Sequence, residues 1–291
     1  MKRLICLILT VTLLFCGCAP IESQPQVVAT TLPVFEFTTI LCQDTGIRVS
    51  RLIDQQVSCL HDYSMQVDET RMLEAAEIVI CSGAGLDDFV TELVREDQVL
   101  VDASAGIEQH CAEESGHVHE HGDHHHDTDP HIWLSIPKAR HMAENICTGL
   151  IACYPGQKDT ILSNMDQLTK QFDALQAYGE QQLADIRHRE IITFHDGFSY
   201  LAEDWDIVIL KAVEEESGSE ASAAQLIELI SIIRQENLKA IFTETNGSTA
   251  AAEIISRETG IDIYTLDMAM SGESWFQAMR NNFDVLKEAL E

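Results

Sequence analysis

The chain has 291 residues, 45% of them apolar and 23% charged, enough to bury one large core or two ordinary ones and too apolar for bulk disorder. Its 48 acidic against 18 basic residues give a formal charge of −30, which argues against nucleic acid as a partner because phosphates would be repelled. The same charge favours a soluble monomer and gathers cations near the surface, without by itself choosing a function.

In chain order, the first eighteen residues, MKRLICLILTVTLLFCGC, place two basic residues before an apolar run from Leu4 to Phe15, with Gly17 and Cys18 after it. This is the layout of a secretory signal over residues 1–17, and the run is short against the roughly twenty residues of a membrane span. Glycine followed by cysteine resembles a bacterial lipoprotein processing site, with Cys18 as the lipidated first residue and the product tethered outside the cytoplasm. Phe15 stands where that pattern usually has leucine, so a free periplasmic product is the alternative. Cys42, Cys59, Cys81, Cys111, Cys147 and Cys153 follow without a CxxC pair, which indicates neither a zinc ribbon nor a dense disulfide scaffold. Buried free thiols fit Cys42, Cys81 and Cys147, which sit in apolar segments.

Short β-rich runs then alternate with longer helical patterns, the signature of parallel α/β units. Strands are expected at 26–30, 47–53, 77–82 and 98–104, with helices over 33–44, 68–76 and 86–95. A histidine-rich loop (110–130) precedes a helix over 137–153, with proline at its start. Residues 156–188 carry apolar side chains at Ile161, Met165, Leu168, Phe172, Leu175 and Leu183, a helical period sustained over about thirty residues. Such a helix is about 45 Å long and runs the length of a domain. Strands at 190–194, 206–210, 239–244 and 261–266 then alternate with helices over 198–203, 221–236, 248–259 and 273–290. The acidic stretch 213–222 reads as a solvated loop. The architecture expected is α/β: two lobes, each a parallel sheet flanked by helices, joined by one long rigid helix. The division is an N-terminal lobe over 18–155, a linking helix over 156–188 and a C-terminal lobe over 189–291.

Open parallel sheets bind ligands at the carboxyl ends of their strands. Four metal-capable residues fall there: His61 after the second strand, His131 after the fourth strand and its long loop, His195 immediately after EIITF, and Asp267 immediately after IDIYTL. A lone histidine in such a place is more often a polar loop residue or a cap, and Asp267 alone fits a turn or cap. Two come from each half, and side chains so placed converge where the halves face each other. His141, within a helix, and His188, between two arginines, read as solvated or structural.

The segments LHDYSMQVDETRMLEAAEIVICSGAGLDDFV, DPHIWLS, TFHDGFSYLAEDWDI and YTLDMAMSGESWFQAMRNN, in this order, resemble the zinc/manganese-binding receptors of bacterial ABC importers. The helix opening YPGQKDTILSNMDQL is similar to the rigid helix that joins the lobes in that family. The resemblance covers nearly the whole chain after the signal, and DPHIWLS is its most specific piece. It implies the metal ligands His61, His131, His195 and Asp267, the four that strand-end placement selects. Manganese-selective members usually carry glutamate where His195 stands, and a third imidazole favours zinc over manganese. Leu60 stands where some members add an acidic residue.

His117, His119, His121, His124, His125 and His126 alternate with Gly, Asp and Glu in a composition that buries no core. Neutral imidazoles there bind zinc weakly and at several sites, an accessory trap near the cleft; a hydrophilic insert with incidental metal affinity is the alternative. The expectation is an extracytoplasmic, lipid-anchored zinc receptor that delivers its ion to the permease of an ABC importer and makes or breaks no bond. A manganese or iron receptor of the same family is the alternative for the same site. Rivals from other classes are a zinc hydrolase with three histidines, an open position and Glu244 as base, and a zinc buffer or adhesin using the histidine tract alone. Glu244 ends a strand, and orienting a ligand histidine suits it better than acting as a base.

Overall fold

A computed structural model describes residues 26–56, 60, 63–110, 128–213 and 221–291. The signal segment with Cys18, His61, the histidine tract and most of the acidic stretch lie outside the described residues.

The first lobe alternates β1 (Val27–Ala29), α1 (Leu32–Leu41), β2 (Val49–Arg51), α2 (Val67–Ala75), β3 (Ile78–Cys81), α3 (Asp88–Thr91) and β4 (Val99–Asp102). After the histidine-rich segment come a 3-10 turn (Ile132–Leu134), α4 (Ile136–Cys153) and the long α5 (Lys158–Leu183). The second lobe runs β5 (Glu190–Thr193), α6 (Ser199–Asp204), β6 (Val208–Ala212), α7 (Ala223–Glu236), β7 (Ala240–Glu244), α8 (Ala250–Thr259), β8 (Asp262–Leu266) and α9 (Trp275–Leu290). Both sheets are parallel and share one topology, β2-β1-β3-β4 and β6-β5-β7-β8. Parallel strands covered by helices on both faces need apolar side chains in both directions, which the fully buried run IVIC of β3 supplies.

The 26 residues of α5 span about 39 Å at 1.5 Å per residue. Ile161, Asn164, Leu168, Phe172, Leu175, Gly179 and Leu183 form its buried stripe, one contact every three or four residues. Two of these are not apolar anchors, and each has a specific reason. Asn164 donates to the carbonyls of Leu41 (3.0 Å) and Gln43 (2.8 Å), satisfying the end of α1. A Cβ on Gly179 would lie 2.5 Å from the Trp205 ring, so glycine admits that ring, which stacks edge-on against Phe283 at 4.9 Å. Ahead of α5, Pro155–Gln157 forms a 3-10 turn; beyond it, the amides of Arg187 and His188 donate to the carbonyl of Leu290.

The helix expected over 86–95 is confined to Asp88–Thr91. Gly83, Ala84 and Gly85 all take positive φ, and the buried Asp87 carboxylate accepts from Thr30 Oγ1 (2.5 Å), Ser82 N (2.7 Å) and Gly83 N (2.9 Å). That side chain serves the strand ends of the sheet instead of extending a helix. Cys42, Cys81, Cys147 and Cys153 are free thiols, three of them buried. Among the described residues no helix is long and apolar enough to cross a membrane.

One large core runs without a break from the N-lobe through α5 and α9 to the inner face of the second sheet. Its centre is aromatic: Phe37 of α1 meets Phe172 of α5 (5.3 Å between ring centroids) and Trp275 of α9 (5.2 Å). A second, smaller core lies between the outer face of the second sheet and α7 and α8.

Candidate metal centre

His131 comes after β4, the edge strand of the first sheet, in chain order and immediately precedes the buried Ile132–Leu134 turn. Asp129 fixes it twice. One carboxylate oxygen accepts from the His131 amide (2.9 Å) and lies 2.7 Å from ring Nδ1. The other accepts from the Ser199 hydroxyl of α6, in the opposite lobe. Burial pushes the Asp129 pKa up, but the ring bond and charge of His131, the Ser199 hydroxyl and the His131 amide outweigh it and hold the carboxyl below its ordinary range. An ionised acceptor at Nδ1 places the ring proton there and leaves Nε2 as a lone pair, the tautomer a metal ligand needs.

That Nε2 faces the Nε2 of His195, 3.4 Å away, with the rings perpendicular (89°). Both imidazoles are buried, at 2% and 1% exposure. Two nitrogens bound tetrahedrally to one ion at about 2.0–2.1 Å sit about 3.3–3.4 Å apart, so the pair has the spacing of two ligands on a shared zinc. His195 leaves β5 in extended conformation, and its other ring nitrogen has Glu244 Oε2, at the end of β7, 3.7 Å away. Glu244 thus lies behind His195, but at 3.7 Å rather than the 2.7 Å hydrogen bond that joins Asp129 to His131. Glycines allow this crowding. A Cβ on Gly197 would lie 2.9 Å from the His131 ring and 2.5 Å from Met268, and one on Gly247 would lie 2.5 Å from Glu244.

Asp267 follows β8, the counterpart in the second sheet of the strand that precedes His131. Its main chain is held on both sides by one amide: Asn282 of α9 accepts from Asp267 N (2.7 Å) and donates to Asp267 O (2.8 Å). Its carboxylate accepts from Ala269 N (2.7 Å), and burial pushes its pKa up against that bond, the environment of an anion short of positive charge. Neighbouring Met268 accepts at its carbonyl from the Trp133 indole (2.7 Å), so the Asp267 loop is tied to the HIWL turn.

The structure therefore brings His131 and His195 together and sets Asp267 on the adjoining loop. Among the described residues no three His, Cys, Asp or Glu side chains close on one point. His61 lies outside the described residues, between buried Leu60 and Tyr63, whose amide donates to the Leu60 carbonyl (3.0 Å). His117, His119, His121, His124, His125 and His126 lie outside them too, but the residues that flank them are described. Asp129 N donates to His110 O (3.0 Å), the His110 ring stacks on Tyr200 (4.3 Å), and its Nε2 lies 2.8 Å from Glu203. His141 and His188 stay half-buried and away from the pair. Asp129 is the neighbour of the candidate site that reading for ligands passes over; its signal is the two-residue spacing of DPH, which lets one carboxylate reach both the amide and the ring of the histidine.

Residues 27–289 match the family described as ZnuA: Zinc-uptake complex component A periplasmic. The chain belongs to this family. Its relatives include the zinc-binding lipoprotein AdcA of Streptococcus pneumoniae serotype 4, 26% identical over 285 residues that cover 93% of this chain and 56% of the relative. A putative metal-binding protein of Treponema pallidum is 25% identical over 240 residues, 79% of this chain and 76% of that one. The chain spans about half the length of the AdcA relatives it matches, 56% of each. Among solved structures, the Zn(II)-bound ZnuA-like domain of S. pneumoniae AdcA is 25% identical with a TM-score of 0.76, covering 92% of this chain and 99% of that one. A crystal structure of ZnuA has a TM-score of 0.79 at 24% identity, covers 91% of this chain and 99% of that one, and shares its fold.

Proposed function

We propose that this chain is an extracytoplasmic receptor that binds one zinc ion between its lobes and hands it to the permease of an ABC importer. His61, His131, His195 and Asp267 are the ligands in this reading, two from each lobe. The observation that carries it is the 3.4 Å approach of two buried Nε2 atoms, with a carboxylate behind each ring. The family and the zinc-bound neighbour support the same cargo. Four protein ligands fill the zinc tetrahedron and leave no position for an activated water, so the reading is a carrier and not a hydrolase. Glu244 lies toward His195 Nδ1 and suits an orienting role. Lipid at Cys18 tethers the monomer to the membrane, and the histidine tract 117–126 gathers zinc loosely near the cleft. The lobes span 18–155 and 189–291, with 156–188 between them.

The test is competitive zinc and manganese titration of stripped protein, both full-length and lacking residues 116–126. One tight zinc should survive the deletion and only the weaker sites disappear. His195→Ala should weaken the tight site by more than about 100-fold, beyond what the loss of a residue outside the ligand set produces. His188→Ala should leave it unchanged. Tighter manganese binding overturns the choice of ion; loss of the tight site with the deletion, or equal effects of the two histidines, overturns the site.

A further inference from the structure

The N-terminus of α9 is capped from the other lobe. Ser274 is its ordinary N-cap, with the hydroxyl accepting from Gln277 N, but the same hydroxyl donates to Glu36 Oε1 at 2.8 Å. Glu36 Oε2 accepts from Trp275 N at 2.5 Å. Glu36 belongs to α1, 239 positions earlier in the chain. An anion against the first free amide of a sixteen-residue helix satisfies a donor that has no partner within the helix and complements its dipole.

Two more bonds fasten the segment between Asp267 and α9 to the N-lobe. Arg51 donates to Gly272 O (2.8 Å) and Trp133 to Met268 O (2.7 Å). Two turns into α9, Asn282 is 1% exposed and grips both main-chain groups of Asp267. A continuous path of hydrogen bonds and helix thus runs from Glu36 to the Asp267 backbone.

We propose that Glu36 is a positioning residue for Asp267, fixing α9 and through Asn282 the C-lobe carboxylate to the N-lobe, so that opening of the Glu36 cap governs how fast the ion leaves. The proposal rests on the metal site described above. It places Asp267 mechanically with the first lobe although its strand belongs to the second. Release then requires the α1–α9 contact to part, a smaller change than bending α5.

The experiment measures zinc release from the full chain into excess chelator by stopped flow, for the native protein, Glu36→Gln, Glu36→Ala and Ile255→Ala. Ile255 is buried in the smaller core away from the cap and controls for lost stability. Glu36→Ala should release zinc roughly tenfold faster, the low end for residues that support a ligand, and Glu36→Gln less so because one acceptor remains. Ile255→Ala should stay within about twofold of native, as expected for a distant site. Amide exchange at Trp275 should quicken in the Glu36 variants alone. If Glu36→Ala does not fold, Ser274→Ala and Glu36→Gln, each removing one arm, make the same comparison. Native release rates in the Glu36 variants, or equal acceleration in Ile255→Ala, overturn the proposal. A native protein with no tight zinc, or a tight site that persists in His195→Ala, overturns the metal site and the proposal with it.

Discussion

The second sheet has two faces with different obligations. Ile191, Ala240 and Phe242 enter the large core shared with α5, α9 and the first lobe, whereas Ile192, Phe194 and Ile241 enter the smaller core beneath α7 and α8. The alternation follows from the two-residue period of a strand. The inner face is stitched across the lobes by Trp133, Trp275 and Glu36, and the loops bearing His195 and Asp267 meet the first lobe on that side. The outer layer has none of these residues. The lesson is that the proposed ion site lies on the side referenced to the continuous core, while the α7–α8 layer packs on the opposite face.

The most severe way to break this contrast is Trp275→Ala. Trp275 is fully buried, packs on Phe37 and Phe172, and donates to Trp133 O (3.1 Å). Its removal should cost about 3–5 kcal/mol in urea unfolding. A loss under about 1 kcal/mol would mean that the aromatic hub does not hold the lobes together.

A second test uses a titrating group that lies in the first lobe. Burial pushes the Asp87 pKa up to about 6, against hydrogen bonds from Thr30, Gly83 and Ser82. The folded carboxyl therefore holds its proton to higher pH than the unfolded one, and between about pH 4 and 6 the native state binds more protons. The associated stability is complete below pH 4 and is lost as pH rises through 6, by about 3 kcal/mol in all. Asp87→Asn removes this titration, so native-minus-variant stability should fall by that amount from pH 4 to 7. A flat difference in chemical denaturation would refute it.

The smallest effect belongs to the outer layer. Ile227 on α7 is 70% exposed, and Ile227→Lys should change unfolding free energy by no more than about 0.5 kcal/mol. A cost several times larger would show that this face is covered and that the outer layer is less independent than its packing implies.

Much of the fold was legible because its signals are local. The β/α alternation, the long helix with Ile161, Leu168, Phe172, Leu175 and Leu183 on one face, and the fall of His195 and Asp267 just beyond strands all follow from neighbouring residues. What was not legible belongs to pairs distant in sequence. Asn164 and Gly179 look out of place in a buried stripe until Leu41 and Trp205 are beside them. The helix expected over 86–95 shrank because Asp87 is drawn to Thr30, 57 positions away.

The sequence by itself determined which segments become strands and helices and which side chains stand at the strand ends, since hydrophobic period and capping act over a few residues. Only the tertiary structure decided that two imidazole nitrogens come within 3.4 Å, that Asp129 sets the tautomer of one, and that Glu36 caps a helix of the opposite lobe. Those distances depend on how two separately patterned sheets dock through one aromatic core, and no local stretch of the chain encodes that docking on its own.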